Sequence, residues 1–339
     1  KFADIPLLSR MDAVAETFID EIETLLNRDL PEEERIPLIE KFRKMYETMD
    51  FYVLYNRFLK KEGYQTLPRR PLEKRKLRYE DVYPVLYLKY RLSRQAERSN
   101  IKHLVIDEMQ DYSRLQYLII RRMFSCKMTI LGDRAQTMAD QQQDVLQFLP
   151  GIFGKDLRRI EMRKSYRNTV EIASYAANLI GVTDLELFER HGMPVLERDV
   201  SDLEAALREA VDTLFPDEKT YETAAVIVPD EKTAERAYLI LREILAEKDF
   251  DCGKRLSWLN RDSSSFKKGL TVTTFYLAKG LEFDEVIVPF VTDKDYRTEI
   301  DRSMLYVACT RAMHKLYISA SGNISTFLSV TLGIFPLSS

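Results

Sequence analysis

The sequence predicts an α/β protein in which a mostly helical leading segment is followed by two parallel-sheet lobes. Three observations carry that expectation. Beyond Asn100, short runs of apolar residues alternate with helical patterns, the arrangement that builds a parallel sheet covered by crossover helices. Before Asn100, apolar residues recur at three- and four-residue steps, the spacing of one helix face. Pro150, Gly151 and Gly154 mark a break at which a second lobe can begin, near Lys155.

Taken in order, the stretch from Met11 to Leu26 reads as a helix presenting Val14, Phe18, Ile22 and Leu25 on its apolar face. Further helical patterns run through Tyr46, Tyr55 and Phe58, punctuated by Pro31, Pro37 and Pro68. The basic run from Arg69 to Arg78 reads as a solvated loop, with a phosphate or partner contact as the alternative. Strands are expected at HLVID (103–107), MTILGD (128–133), LRRIEM (157–162), AAVIVP (224–229), LTVTTF (270–275), EVIVPF (285–290) and KLYISA (315–320). The expected organisation is therefore a helical segment over 1–100, part of a first lobe over 101–154 and a second lobe over 155–339.

The 339 residues are 45% hydrophobic and 31% charged, enough apolar surface for a large core and enough charge for a soluble chain. No run reaches the roughly 20 apolar residues of a membrane span, and the first residues show no signal-peptide pattern, so a cytoplasmic protein is expected. Cys126, Cys252 and Cys309 lack CxxC spacing, and His103, His191 and His314 are isolated, so no metal held by cysteine or histidine is expected. A net charge of −3 argues against an extensive nucleic-acid surface, while a local basic groove remains compatible with it.

The sharpest chemical signal is Leu104-Val105-Ile106-Asp107-Glu108-Met109-Gln110-Asp111. A buried parallel strand ending in consecutive acids delivers carboxylates to the carboxyl edge of the sheet, where ligands bind in such folds. Asp107 suits Mg²⁺, a hard ion preferring oxygen, and Glu108 suits orienting or deprotonating an attacking water. The same letters also fit a strand followed by an acidic helix start. A second run, Thr129-Ile130-Leu131-Gly132-Asp133-Arg134-Ala135-Gln136, ends with Gly132 at a tight strand exit and Gln136 able to reach a terminal phosphate.

These two runs resemble motifs II and III of the superfamily 1 helicases related to UvrD and Rep, and the later motifs follow in the family's order. Arg163-Lys164-Ser165-Tyr166-Arg167-Asn168 resembles motif IV, which implies that Tyr166 stacks on adenine and Arg167 touches the γ-phosphate. The run from Thr274 to Phe283 resembles motif V, which implies that Gly280 and Glu282 border the sugar and phosphates. Leu305-Tyr306-Val307-Ala308-Cys309-Thr310-Arg311-Ala312 resembles motif VI, making Arg311 a second arginine finger. The resemblance implies two RecA-like lobes with ATP and Mg²⁺ between them. Within the family, Arg78 to Tyr90 and Phe124 to Thr129 resemble the HelD branch, which implies bacterial RNA polymerase as the partner and ATP-driven release of that polymerase as the activity.

Two departures qualify that expectation. No GxxxxGK(S/T) phosphate loop occurs, so a fragment lacking motif I is expected, with poor ATP hydrolysis by itself. No aromatic residue lies between Gln136 and Phe148, and Tyr276 stands where motif V usually has histidine, so base stacking is weakly provided for. A 3′-to-5′ DNA helicase of the helicase IV or UvrD type is the alternative, and a non-catalytic protein-binding module a third.

Overall fold

A computed structural model describes residues 5–92, 100–133, 136, 144–162, 164–182, 186–214, 222–248, 255–263, 268–292 and 296–320. Arg134, Ala135, Arg163 and Cys252, all singled out from the sequence, lie outside the described residues. By packing, the chain divides into two units, Lys1–Gly132 with Gln143–Arg158, and Asp133–Gln142 with Arg159–Ser339. Among the described residues, no helix is long and apolar enough to cross a membrane.

The first unit begins with four helices, α1 (Leu7–Leu26), α2 (Glu32–Arg43), α3 (Phe51–Lys61) and α4 (Tyr79–Leu92). Helix α2 carries Glu32, Glu33 and Glu34 in its first turn and Lys41 and Arg43 in its last, so its charges complement the helix dipole. Asp50 caps α3 by accepting from the backbone N–H of Tyr52 and Val53. Tyr52, Tyr55 and Leu59 of α3 close a small core with Leu67, against which Val85 and Leu88 of α4 pack.

The apolar face expected for α1 needs correction. Its buried residues are Ala15 and Ile19, whereas Phe18 is 43% and Leu25 85% exposed. The buried line is offset by one residue from Val14 and Phe18, a rotation of about 100° at 3.6 residues per turn. Arg35 of α2, bonded to both Glu16 and Glu23 of α1, holds that rotation.

Strands β1 (His103–Ile106) and β2 (Lys127–Ile130) pair in parallel, joined by α5 (Arg114–Met123). Helix α5 starts with a capping box in which Ser113 and Gln116 satisfy each other's exposed backbone N–H. Ile106, Met109 and Tyr117 pack with Val145, Phe148 and Leu149 of α6 (Val145–Phe153). Coverage on both faces, expected from the apolar runs, does not hold for this pair: Val105 is 61% exposed. Nor does a strand form at 157–162, where Ile160 and Met162 stand exposed and no backbone ladder is made.

In the second unit, β3 (Lys164–Ser165) pairs in parallel with β4 (Glu186–Leu187), with α7 (Val170–Leu179) between them in sequence. The main sheet comprises β5 (Leu196–Asp199), β6 (Thr223–Val228), β7 (Leu256–Trp258), β8 (Gly269–Thr274), β9 (Phe283–Val291) and β10 (Ala312–Ala320). Its order is β5-β10-β9-β6-β8-β7 and every pairing is parallel. Helices α8 (Leu203–Leu214), α9 (Glu231–Glu247), α10 (Phe275–Ala278) and α11 (Glu299–Thr310) complete the unit.

Strand alternation divides the second unit's interior into two cores. Ala225 and Ile227 of β6 join Ile172, Tyr175 and Leu179 of α7 and Leu305, Val307 and Ala308 of α11. Ala224, Val226 and Val228 of the same strand join Leu207 and Val211 of α8 and Leu241 and Ile244 of α9. The sheet is therefore covered on both faces, as apolar parallel strands require. The α/β class expected from the sequence is the one adopted.

Candidate functional site

In the first unit, the acids leave the carboxyl end of β1. The backbone N–H of Leu131 donates to Ile106 O (2.8 Å) and that of Met109 donates to Leu131 O (2.8 Å), so the two strand exits continue side by side past the ladder. Glu108 adopts φ 53°, ψ 50°, a left-handed conformation that costs a residue with a Cβ about 1–2 kcal/mol. Its neighbours hold it there. The Asp107 carboxylate accepts from Glu108 N–H at 2.8 Å, and Gln110 Nε2 donates to Glu108 Oε2 at 2.6 Å. Beneath the turn, buried Tyr117 donates from its hydroxyl to Met109 O at 3.0 Å, and burial raises its phenol above the ordinary range.

Gly132 belongs to this arrangement for a reason other than the expected one. Its φ is not positive; instead, a Cβ there would come within 2.4 Å of Met109 Cγ and 2.5 Å of Gln110 Oε1. The glycine admits the acid-bearing turn against the exit of β2.

In the second unit, Arg311 is the single residue between the end of α11 and the start of β10. Its guanidinium is buried, the residue being 1% exposed. Nε donates to Val307 O at 3.2 Å, Nη1 to Leu281 O at 3.3 Å, and Nη2 to Gln136 Oε1 at 3.0 Å. Gln136 is held at three further points: Nε2 donates to Asp133 Oδ2 at 3.0 Å, its carbonyl accepts from Lys279 Nζ at 3.2 Å, and its N–H donates to Asp133 O at 3.1 Å. Tyr306, one turn before Arg311 on α11, donates to Asp133 Oδ2 at 3.3 Å. Burial first, and the Asp133 carboxylate second, hold that phenol above its ordinary range.

Arg167 and Glu282, assigned separately from the sequence, form an ion pair, Nε to Oε1 at 2.6 Å. Tyr166 is exposed and its ring lies 5.6 Å from that of Phe188. The register explains the neighbour: Ser165 pairs with Leu187, so the next residues on each strand emerge together. Lys164 Nζ lies 5.6 Å from both ring centres. Gly280 takes φ 81° in the turn before β9, open space surrounding its absent Cβ, so the backbone angle alone calls for glycine.

Three side chains that sequence reasoning gave no role prove central to the second unit's cluster: Lys279, Tyr306 and Asn168. Asn168 is buried and its amide nitrogen donates to Thr310 O at 3.1 Å and Ala312 O at 2.6 Å, on either side of Arg311. The sequence carried no local sign of this contact, which spans 142 and 144 positions.

Among the described residues, no group of three or more histidine, cysteine or acidic side chains is placed to hold a metal ion. That is compatible with Mg²⁺ chemistry, since this ion is commonly held by one or two carboxylates together with substrate phosphates and water. Asp107, exposed at the strand's carboxyl end, fits such a role.

Two family models match the chain. The UvrD/REP helicase N-terminal domain matches residues 9–138, and the UvrD-like helicase C-terminal domain matches residues 269–319. Together they support a UvrD/Rep-like superfamily 1 helicase. Asp107, Glu108 and Gln136 fall in the first match and Gly280, Glu282 and Arg311 in the second, while Tyr166, Arg167 and Asn168 lie between them. Such helicase domains point to an ATP-dependent protein of helicase type, and that family typically uses ATP with Mg²⁺.

Solved structures similar to the chain include the C-terminal domain of a possible DNA helicase from Lactobacillus plantarum WCFS1, 28% identical, covering 49% of this chain and 92% of that one, with a TM-score of 0.39. Saccharomyces cerevisiae Dbp5 bound to RNA and ADP-BeF3 is 14% identical over 89% of this chain and 71% of its own, with a TM-score of 0.39. No curated protein matches the chain.

Proposed function

We propose that this chain supplies the water-activating acids and the phosphate-facing arginines of an ATP-driven superfamily 1 motor. The observation that carries the reading is the acid pair Asp107 and Glu108, held at the carboxyl end of β1 inside the stretch matched by the helicase N-terminal model. Asp107 would hold Mg²⁺, and Glu108 would orient the attacking water. Arg167 and Arg311 would face the transferred phosphoryl group, where such a cation is worth about 10³–10⁵ in rate. Tyr166 would stack on the adenine, with Gly280 and Glu282 beside the sugar and phosphates, and Gln136 would report the terminal phosphate to Arg311 through their shared hydrogen bond. Mg²⁺ held at Asp107 would neutralise charge on the phosphates of the substrate ATP. The sequence has no GxxxxGK(S/T), so this chain alone is expected to hydrolyse ATP poorly.

In its finer form, the proposal makes the motor a remodeller of bacterial RNA polymerase in the cytoplasm. Three features support this: the HelD-like stretches around Arg78–Tyr90 and Phe124–Thr129, the net charge of −3, and the lack of aromatic residues between Gln136 and Phe148. A DNA helicase is equally consistent with the family matches. The deciding experiment is ATP turnover by the complete gene product with single-stranded DNA or with RNA polymerase added. Strong stimulation by DNA, accompanied by unwinding, supports the helicase; stimulation by polymerase without unwinding supports the remodeller. A Glu108→Gln variant that turns over ATP as fast as wild type sinks both and leaves a non-catalytic binding module.

A further inference from the structure

We infer that Asn168 is the positioning residue for Arg311, and that it ties the segment after β3, which carries Arg167, to the helix–strand junction that carries Arg311. The inference rests on the functional reading above only for its consequence on phosphate binding; the geometry stands independently. Helix α11 ends at Thr310 and β10 begins at Ala312, so the chain turns from helix to strand across Arg311 alone. A helix end leaves its last carbonyls without intrahelical partners. Here three consecutive carbonyls are all taken up. Those of Thr310 and Ala312 accept from the Asn168 amide, and that of Arg311 accepts from Phe283 N–H at 3.0 Å.

A primary amide has two N–H donors, and Asn168 directs its nitrogen to both sides of the arginine. Because Asn168 is buried, water cannot readily replace it. The Arg311 Cα is thereby held while its guanidinium reaches Val307, Leu281 and Gln136. Asn168 directly follows Arg167, so the same amide sets the spacing between the two arginines. An ordinary buried cap would stabilise the junction without governing either guanidinium. The two roles separate experimentally.

The test uses the full chain and three variants: Asn168→Ala, the milder Asn168→Ser, and Leu241→Ala as a control that destabilises the opposite core. Two readouts are taken, the NMR resonance and solvent exchange of the Arg311 Nε–H, and the affinity for inorganic tripolyphosphate and for ATP with Mg²⁺. Positioning predicts that Asn168→Ala shifts the Arg311 resonance, speeds its exchange and weakens tripolyphosphate about tenfold, a coupling typical of contacting residues. Asn168→Ser should fall between Asn168→Ala and wild type, and Leu241→Ala should lower the melting temperature without moving either readout. An Arg311 Nε–H unchanged in both Asn168 variants overturns the inference, as does an equal effect of Leu241→Ala. Should the wild-type chain, which has no GxxxxGK(S/T), bind neither ligand, the same titration of the complete gene product decides the functional reading, its failure there overturning that reading, and the Arg311 resonance still decides the role of Asn168.

Discussion

Gln136 accepts a hydrogen bond from Arg311 Nη2 through its side-chain oxygen at 3.0 Å, and both groups are withdrawn from water. A buried guanidinium deprived of an acceptor pays for its lost hydration, typically about 1.5–3 kcal/mol when the bond involves a charge. Gln136→Ala should therefore lower the stability of the second unit by about 2 kcal/mol. Urea unfolding can follow this through the single tryptophan, Trp258 of β7. A loss no larger than that of an exposed substitution would mean that water or another acceptor serves Arg311 equally well.

Gly132 gives a test confined to the acid-bearing turn. A methyl group there would overlap Met109 Cγ and Gln110 Oε1, and the Met109 backbone nitrogen at 2.7 Å leaves no room for side-chain rotation alone to relieve it. Gly132→Ala should cost about 1–3 kcal/mol, the usual range for overpacking. Gly151 on α6 has open space around its absent Cβ and lies in a helix, so Gly151→Ala should be neutral or stabilising by up to about 1 kcal/mol. Thermal unfolding of the two variants side by side would expose any general intolerance to alanine.

The contrast between these glycines shows which features the sequence made legible. β6, β9 and β10 were evident because each carries a run of mostly apolar residues that face a core on both sides, as Ala224 and Ala225 illustrate by entering different cores. The buried face of α1 differs from the one its large apolar residues predict, because Ala15 lies at the buried position and Phe18 does not. At 157–162 the apolar spacing was real but found no neighbouring strand, and a strand exists only by its pairing. Among the candidate residues of the two units, Asp107, Glu108, Arg167 and Arg311 stood out as charges in motifs. Asn168 did not, since a neutral amide reveals its function only through partners more than a hundred residues away.

Arg167 and Glu282 offer a third prediction, in which a short distance does not imply a large energy. Their side chains are 38% and 45% exposed, so solvent screens the 2.6 Å contact. A double-mutant cycle with Arg167→Met and Glu282→Gln should give a coupling of about 0.2–1 kcal/mol in unfolding experiments, falling as salt is added. A coupling above this range, insensitive to salt, would show that the pair is more desolvated than its exposure indicates.

Glu285 makes stability depend on pH in a direction opposite to that of most paired carboxylates. It faces Lys315 across β9 and β10, with Oε1 2.8 Å from Nζ, yet burial raises its affinity for a proton more than the lysine lowers it, and Asp284 adds a smaller push the same way. Its folded pKa therefore lies above the ordinary 4.5. The native state binds this proton more tightly than the unfolded chain, so the contribution is complete below about pH 4.5 and is lost as pH rises through the folded value. Glu285→Gln, which imitates the protonated form, should gain stability relative to wild type as pH is raised from 4.5 toward 8. Urea midpoints measured for both proteins across that interval should diverge, and parallel curves would mean that Lys315 compensates the burial in full.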